Sequence, residues 1–519
     1  MYNLAGKISS KARSLYTRIS ITRFGLAFLV LSFLHCLAQA TIQIYLLKGD
    51  RGASIEFLRI QSASNVSSKA IAWLDVKGHD NYTLRVCTDV PLTLQGIESC
   101  EIMFESGVFE AGNATVSAAA ATSVLTARGI DVKTVTPVTN ASNQVDGANV
   151  TFTNGSQTET VMVNEQCAQV LVYPTEVMQS YAIEDVALLG LQAWLLCISF
   201  IAVACYSIPH TIAIICTRVL ATMWAAYSVW HTLYSMAVFD ALFLDDASPC
   251  KFDLFPSLFD TRLALAIAVL LSNISGLAFT SWLGWALIKT FSTFTFRRVG
   301  PPRPIVRIYR LFLAMSVLLQ LCAYFLITAT AMWISWLFHG AIGRISTHNA
   351  LYEGLFIATI ISILPWIITG WYAVRHERET LMAVFLVVCF FYIVSWSIMF
   401  YSEVYRWTFL AWFFFAALTI VSFVMLIATA VFGVICRLNF GKGLAEYLHA
   451  EAVLAEANFT PGLFSQEEEK MSTRSDSLYD VPVLTGGSAR THDVNWVSFD
   501  VERPPIIIMA HGDTTSASL

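Results

Sequence analysis

Few side chains in this chain of 519 residues have both the chemistry and the setting to act, and most of them interrupt long apolar runs. Arg218 is the clearest, about two helical turns into its run. An ionisable side chain in lipid is costly and usually faces the interior of a bundle, where it marks a solute path or a proton relay. The alternative for Arg218 is to snorkel its guanidinium to the nearer interface. Gln192, His231, Asn273 and Gln320 break other runs. They either line a cavity or hydrogen-bond neighbouring helices together. Pro365, followed by Trp366 and Gly370, predicts a kink, which serves as a hinge or merely as local shape.

The absences narrow the chemistry. The chain has no H-E-x-x-H, G-x-S-x-G or P-loop sequence, and no two histidines four residues apart on one helical run. No acidic residue falls in the middle of an apolar run, so a proton- or sodium-coupled relay lacks its usual carboxylate. The expectation is a non-enzymatic protein with no catalytic residue, cofactor or metal. A net charge of −5, without a basic block or Cys/His finger pattern, points away from nucleic acid.

Membrane helices must position these residues. The chain is 56% hydrophobic and 13% charged, against about 25% charged in soluble domains. A bilayer core about 30 Å thick needs roughly 20 mostly apolar residues per crossing. The windows 186–206, 211–238, 263–288, 311–338, 355–374, 381–401 and 409–435 meet this. Another run, 24–47, follows a basic segment, 1–23, that carries Lys7, Lys11, Arg13, Arg18 and Arg23 and no acid. Ala38-Gln39-Ala40 fits a signal-peptide cleavage site. The long basic segment and the apolar continuation over 42–47 favour a retained signal anchor. The expected fold is therefore a polytopic α-helical membrane protein. It has a seven-helix bundle over 186–436 plus the anchor, eight spans in all, and a small β-sandwich-like extracytosolic domain over 48–184.

Orientation follows from the cations. The loop 289–310 holds Lys289, Arg297, Arg298, Arg303, Arg307 and Arg310 with no acid, and Arg375, Arg378, Arg437 and Lys442 fall on the same side. Loops on the other side are poor in cations, 240–260 setting several Asp against Lys251. Both termini are thus expected in the cytosol, in the plasma membrane or a Golgi or endosomal membrane.

In 48–184, apolar alternation marks short strands at Ile55/Phe57, Tyr82/Leu84/Val86 and Val150/Phe152 and in the run 170–173. A Thr/Asn-rich stretch near 134–155 reads as mobile. N-x-S/T sequons at Asn65, Asn81, Asn113, Asn140, Asn149 and Asn154 mark candidate glycans. Ordinary Ser/Thr/Asn-rich composition is the bland explanation. Cys87, Cys100, Cys167 and Cys250 face the oxidising side and allow three pairings. The favoured set is Cys87 with Cys100 as a local clip and Cys167 with Cys250 as a tether from domain to bundle. Unpaired or differently paired thiols are the alternative. The other seven cysteines lie in or beside spans and read as small apolar residues.

The tryptophans and tyrosines crowd the span ends, as aromatic belts do. After the last span, Phe440, Leu444, Tyr447 and Leu448 share a helical face, which predicts a short interfacial helix over 437–459. Residues 460–519 read as a disordered cytosolic tail. Ser465, Ser472, Thr473, Ser475, Ser477 and Tyr479 there flank acidic residues and are candidate modification or sorting sites.

This layout resembles two groups of proteins. One is the heptahelical receptors with an exported N-terminal domain, although their D-R-Y and N-P-x-x-Y signatures are missing. The other is the Golgi-type seven-span proteins that place a small β-rich luminal domain before the bundle, as the Wnt cargo receptors do. Separately, Cys436-Arg437-Leu438-Asn439-Phe440-Gly441-Lys442-Gly443-Leu444 looks like a juxtamembrane stretch of uncharacterised fungal multi-span proteins. The leading expectation is a receptor- or sensor-like protein. It would couple an extracytosolic ligand to a cytosolic partner, or to acidic membrane lipid, at 289–310 and the tail. A cargo receptor of the secretory pathway and a channel or uniporter running past Arg218 are the alternatives.

Overall fold

Lipid offers backbone N–H and C=O groups no partner, so long apolar runs satisfy those groups internally as helices. The structure is a computed structural model and describes residues 23–76, 82–106, 131–139, 145–154, 157–244, 248–250, 258–298, 303–340, 343, 349–443 and 446. Eight helices among these are long and apolar enough to cross a membrane. They are α1 (Arg23–Ala63), α4 (Val172–Ala204), α5 (Ile208–Leu244), α6 (Leu258–Arg298), α7 (Arg303–His339), α8 (Asn349–Arg375), α9 (Glu379–Met399) and α11 (Phe413–Leu438). The protein is a polytopic helical membrane protein.

Several helices exceed the bilayer. α1 has 41 residues, about 62 Å at 1.5 Å per residue and twice the hydrocarbon thickness. Its far end stands among the strands of a small β-cap. That cap contains two antiparallel three-stranded meanders. The first is β1 (Ile71–Val76), β2 (Tyr82–Cys87) and β3 (Cys100–Glu105), with the short helix α2 (Leu94–Glu98) before β3. The second is β4 (Asp131–Thr139), β5 (Val145–Asn154) and β6 (Gln157–Asn164), followed by α3 (Glu165–Val170).

The filling between the meanders is helical. Leu84 and Phe104 of the first sheet and Val150 and Val163 of the second share one core with Phe57 and Ile60 of α1 and Val238 and Leu242 of α5. Asn164 caps α3, its side chain accepting from the Cys167 N–H at 2.8 Å. Gln61 of α1 donates to Thr175 of α4 at 2.7 Å.

Two strand expectations are corrected. Ile55/Phe57 lies in α1, and 170–173 spans the α3–α4 junction. Two apolar residues two apart cannot separate a period of 2 from one of 3.6; Phe57 in fact recurs with Ala53 and Ile60 on one helical face. Of the stretch near 134–155 that reads as mobile, 134–139 lie in β4 and 145–154 in β5, and the remainder lies outside the described residues. The expected strands at 82–86 and 150–152 are present. The basic loop shrinks as well. α6 runs to Arg298 and α7 starts at Arg303, so all six cationic residues of that loop lie within the two helices. Residues 439–443 are turn and bend; the rest of the expected interfacial helix, Glu446 apart, and the tail 460–519 lie outside the described residues.

The bundle packs in two groups. α1, α4, α5 and α6 form one, and α7, α8, α9 and α11 the other, with α7 touching α4 and α5 between them. The short α10 (Glu403–Ala411) meets the cap, where Trp407 packs edge-on against Trp73 with ring centroids 6.4 Å apart.

Candidate functional site

The site begins with the inward face of α1. Ser32, His35, Gln39, Gln43 and Asp50 are all buried, at spacings that place them along one side of a helix. Phe33, Leu34, Leu37, Ile44 and Tyr45 lie on the exposed side. The helix is thus polar inside and apolar outside, the reverse of a soluble amphipathic helix. Ser32 to Asp50 rises about 27 Å, close to the thickness of the hydrocarbon core.

At His35, Gln39 and Asp50 this stripe meets polar groups on α5 or α6. Near the cap, the Asp50 carboxylate and the Arg262 guanidinium form a buried ion pair. The same guanidinium lies over the Tyr181 ring, 3.6 Å from its centroid, a cation–π contact strengthened by loss of water. The Tyr181 hydroxyl bonds in turn to His231 Nδ1 and Ser235 Oγ, both at 2.8 Å. Toward the other end, Arg218 is only 2% exposed and donates to the His35 ring, 3.0 Å from Nδ1 and 3.2 Å from Nε2. A guanidinium only donates, so the imidazole accepts through an unprotonated nitrogen. Gly276 permits this packing, since a Cβ there would come within 2.4 Å of the His35 ring.

Between these two pairs lies a cavity of about 30 Å³, space for about two waters. Gln39, Gln43, Glu184, Asp185, Gln192, Arg262 and Asn273 are among its walls. The Gln39 amide donates to the Val269 carbonyl at 3.2 Å, which fixes its oxygen on the other side. Glu184 accepts from the Trp412 indole at 2.7 Å, joining the two helix groups. The Gln39, Gln43 and Asp185 side chains each keep one buried oxygen without a hydrogen-bond partner.

Arg218 therefore points inward and does not snorkel. Gln192 and Asn273 line the cavity, and His231 joins the Tyr181 cluster. Gln320 lies on α7, half-buried and apart from these groups, with its carbonyl oxygen unpartnered. Pro365 sits on the exposed side of α8, which continues through it. Just beyond, Trp366 stacks on Phe385 with centroids 4.9 Å apart and donates to the Phe385 carbonyl at 3.1 Å. Most of the tryptophans expected in belts are core residues instead: Trp333, Trp336, Trp366, Trp396, Trp407 and Trp412 are buried.

Cys87 is bonded to Cys100 across adjacent strands, and Cys167 to Cys250 between α3 and the segment after α5. The other seven cysteines are free. Asn65 is exposed in the turn after α1, Asn149 is half-buried on the central strand β5, and Asn154 ends that strand. Asn81, Asn113 and Asn140 lie outside the described residues.

Hydropathy reasoning missed Asp50, Tyr181, Glu184, Asp185 and Arg262, because apolar windows stop at the first charge. A correction follows: carboxylates are buried within the long helices, near their cap ends. The available signal was positional. Asp50, the Glu184–Asp185 pair and Arg262 all border spans at the end that carries the cap, so topology alone puts them at one level. No protein-family model, curated protein or solved structure matches the chain.

Proposed function

We propose that the protein is a non-enzymatic, receptor- or sensor-like membrane glycoprotein that transmits events at its β-cap through the bundle. One observation carries this reading: α1 and α4 run unbroken from the core of the cap into the membrane. A displacement of the cap moves rods whose other ends lie across the bilayer. The Asp50–Arg262 pair and the Cys167–Cys250 tether sit where cap and bundle meet. Hydrogen–deuterium exchange on the full chain in nanodiscs tests the coupling. Asp50→Asn is expected to change exchange in the turn 205–207, at the opposite end of α4. Changes confined to the cap and the adjacent helix ends would overturn it.

A second reading, a channel or uniporter, is favoured by the polar face of α1 and its partners on three helices. Arg218→Leu is the discriminating variant in proteoliposomes. Flux of an ion or small solute that is lost in the variant, with trafficking in cells normal, supports transport; unchanged flux, or none in either form, removes it.

A further inference from the structure

We propose that the cavity between α1, α4, α5 and α6 is a binding site for a small monovalent cation of the sodium class. Three buried oxygens have no donor: Oε1 of Gln39, Oε1 of Gln43 and Oδ2 of Asp185. All three residues line the same cavity and are at most 3% exposed.

Charge decides what fills it. Glu184 and Asp185 line the cavity with Arg262 as the one cation among the lining residues, and Arg262 is already paired with Asp50. Neither Glu184 nor Asp185 is in an ion pair among the described residues. Burying an uncompensated carboxylate is costly. Water supplies hydrogens to orphan oxygens but no charge. A proton on Asp185 supplies one donor, to one oxygen. A small cation serves several oxygens at once and offsets the charge of Asp185, one of the two unpaired carboxylates. Hard cations take carboxylate and amide oxygens. Among the described residues no three His, Cys, Asp or Glu side chains gather as metal ligands, so this amide-rich set suits a single charge better than a divalent ion.

The site stands apart from the coupling function above, and its test reads binding alone. The full chain in nanodiscs is unfolded thermally while sodium chloride replaces choline chloride at constant ionic strength. The expected result is a saturable rise in Tm with sodium. Asp185→Asn, nearly isosteric, abolishes that rise, and Gln43→Leu raises the half-saturating sodium concentration about tenfold, the cost of one bond to a charged group. Equal Tm in sodium and choline overturns the proposal, the carboxylates then being neutralised by protons. So does an equal sodium response in wild type and Asp185→Asn, which marks a general salt effect. Should either variant fail to fold, binding of radioactive sodium to the wild type decides: saturable binding at one ion per chain supports the site, and no saturable binding overturns it.

Discussion

Two groups of four helices divide the bundle, and different physics holds each of them. In α1, α4, α5 and α6 apolar packing is joined by ionic and polar contacts, through Asp50, Arg262, Arg218, His35, Gln39, Gln43, Glu184 and Asp185. In α7, α8, α9 and α11 the fully buried polar residues among the described ones are Ser and Thr, such as Ser316, Thr330, Thr419 and Thr429. Rings and aliphatic groups fill the rest: Trp333 packs edge-on against Tyr405 at 4.9 Å, and Trp336 lies 5.0 Å from Trp412. Lipid is as apolar as leucine, so helices in a membrane associate through shape and polar contacts rather than hydrophobic burial. The second group uses shape. The first uses charge, which demands a partner for every group and is specific for that reason. It is the half suited to changing state when a charge arrives or leaves.

The sharpest way to break this contrast is at the ion pair. Arg262→Leu strands Asp50 in the interior, and about 3–5 kcal/mol of stability is expected to be lost. The double variant Asp50→Leu/Arg262→Leu removes the stranded charge and regains most of that loss, less the cation–π contact to Tyr181. Unfolding of the reconstituted proteins measures both. Equal losses in single and double variants would show that packing, not charge, governs this half.

Next in size is the link between the halves. Trp412→Phe keeps an aromatic ring but removes the indole N–H that donates to Glu184, and a loss of about 1.5–3 kcal/mol is expected from the bond alone. A double-mutant cycle with Glu184→Gln measures the coupling. Additive effects there would mean that the 2.7 Å contact carries no special weight.

In the aromatic half, Gly370→Ala tests shape alone. The added Cβ would lie 2.5 Å from the Phe385 ring, in the layer where Trp366 stacks on the same ring. Overpacking of this kind costs about 1–3 kcal/mol, read as a lower Tm. Retained Tm would mean that this layer yields more easily than a close-packed core should.

The smallest effect lies outside both groups. Asn65→Gln, in the exposed turn after α1, is expected to shift stability by no more than about 0.5 kcal/mol. It also removes one glycosidase-sensitive step from gel mobility if the cap is exported. An unchanged mobility would show that this sequon carries no glycan.

Much of the fold was legible because hydropathy and strand alternation are local. Each span had only to be long and apolar, and Tyr82, Leu84 and Val86 alternate within five residues. The cysteine pairing was within reach too, since only four thiols lay outside the apolar runs. The site was legible in part. Arg218, Gln192 and Asn273 stood out as polar breaks, whereas Glu184, Asp185 and Arg262 hid at the ends of runs, where a charge is unremarkable.

By itself, then, the sequence determined the eight apolar runs long enough to span, several of the polar residues that break them and the strands at 82–86 and 150–152. These depend on residues a few positions apart. Only the tertiary structure decided which groups meet. Asp50 finds Arg262 across 212 positions, and His35 finds Arg218 across 183. A buried charge requires some partner, but its identity depends on the rotation and depth at which helices pack. Those are set by the fit of whole surfaces, such as the room Gly276 leaves for the His35 ring, and no local pattern encodes them.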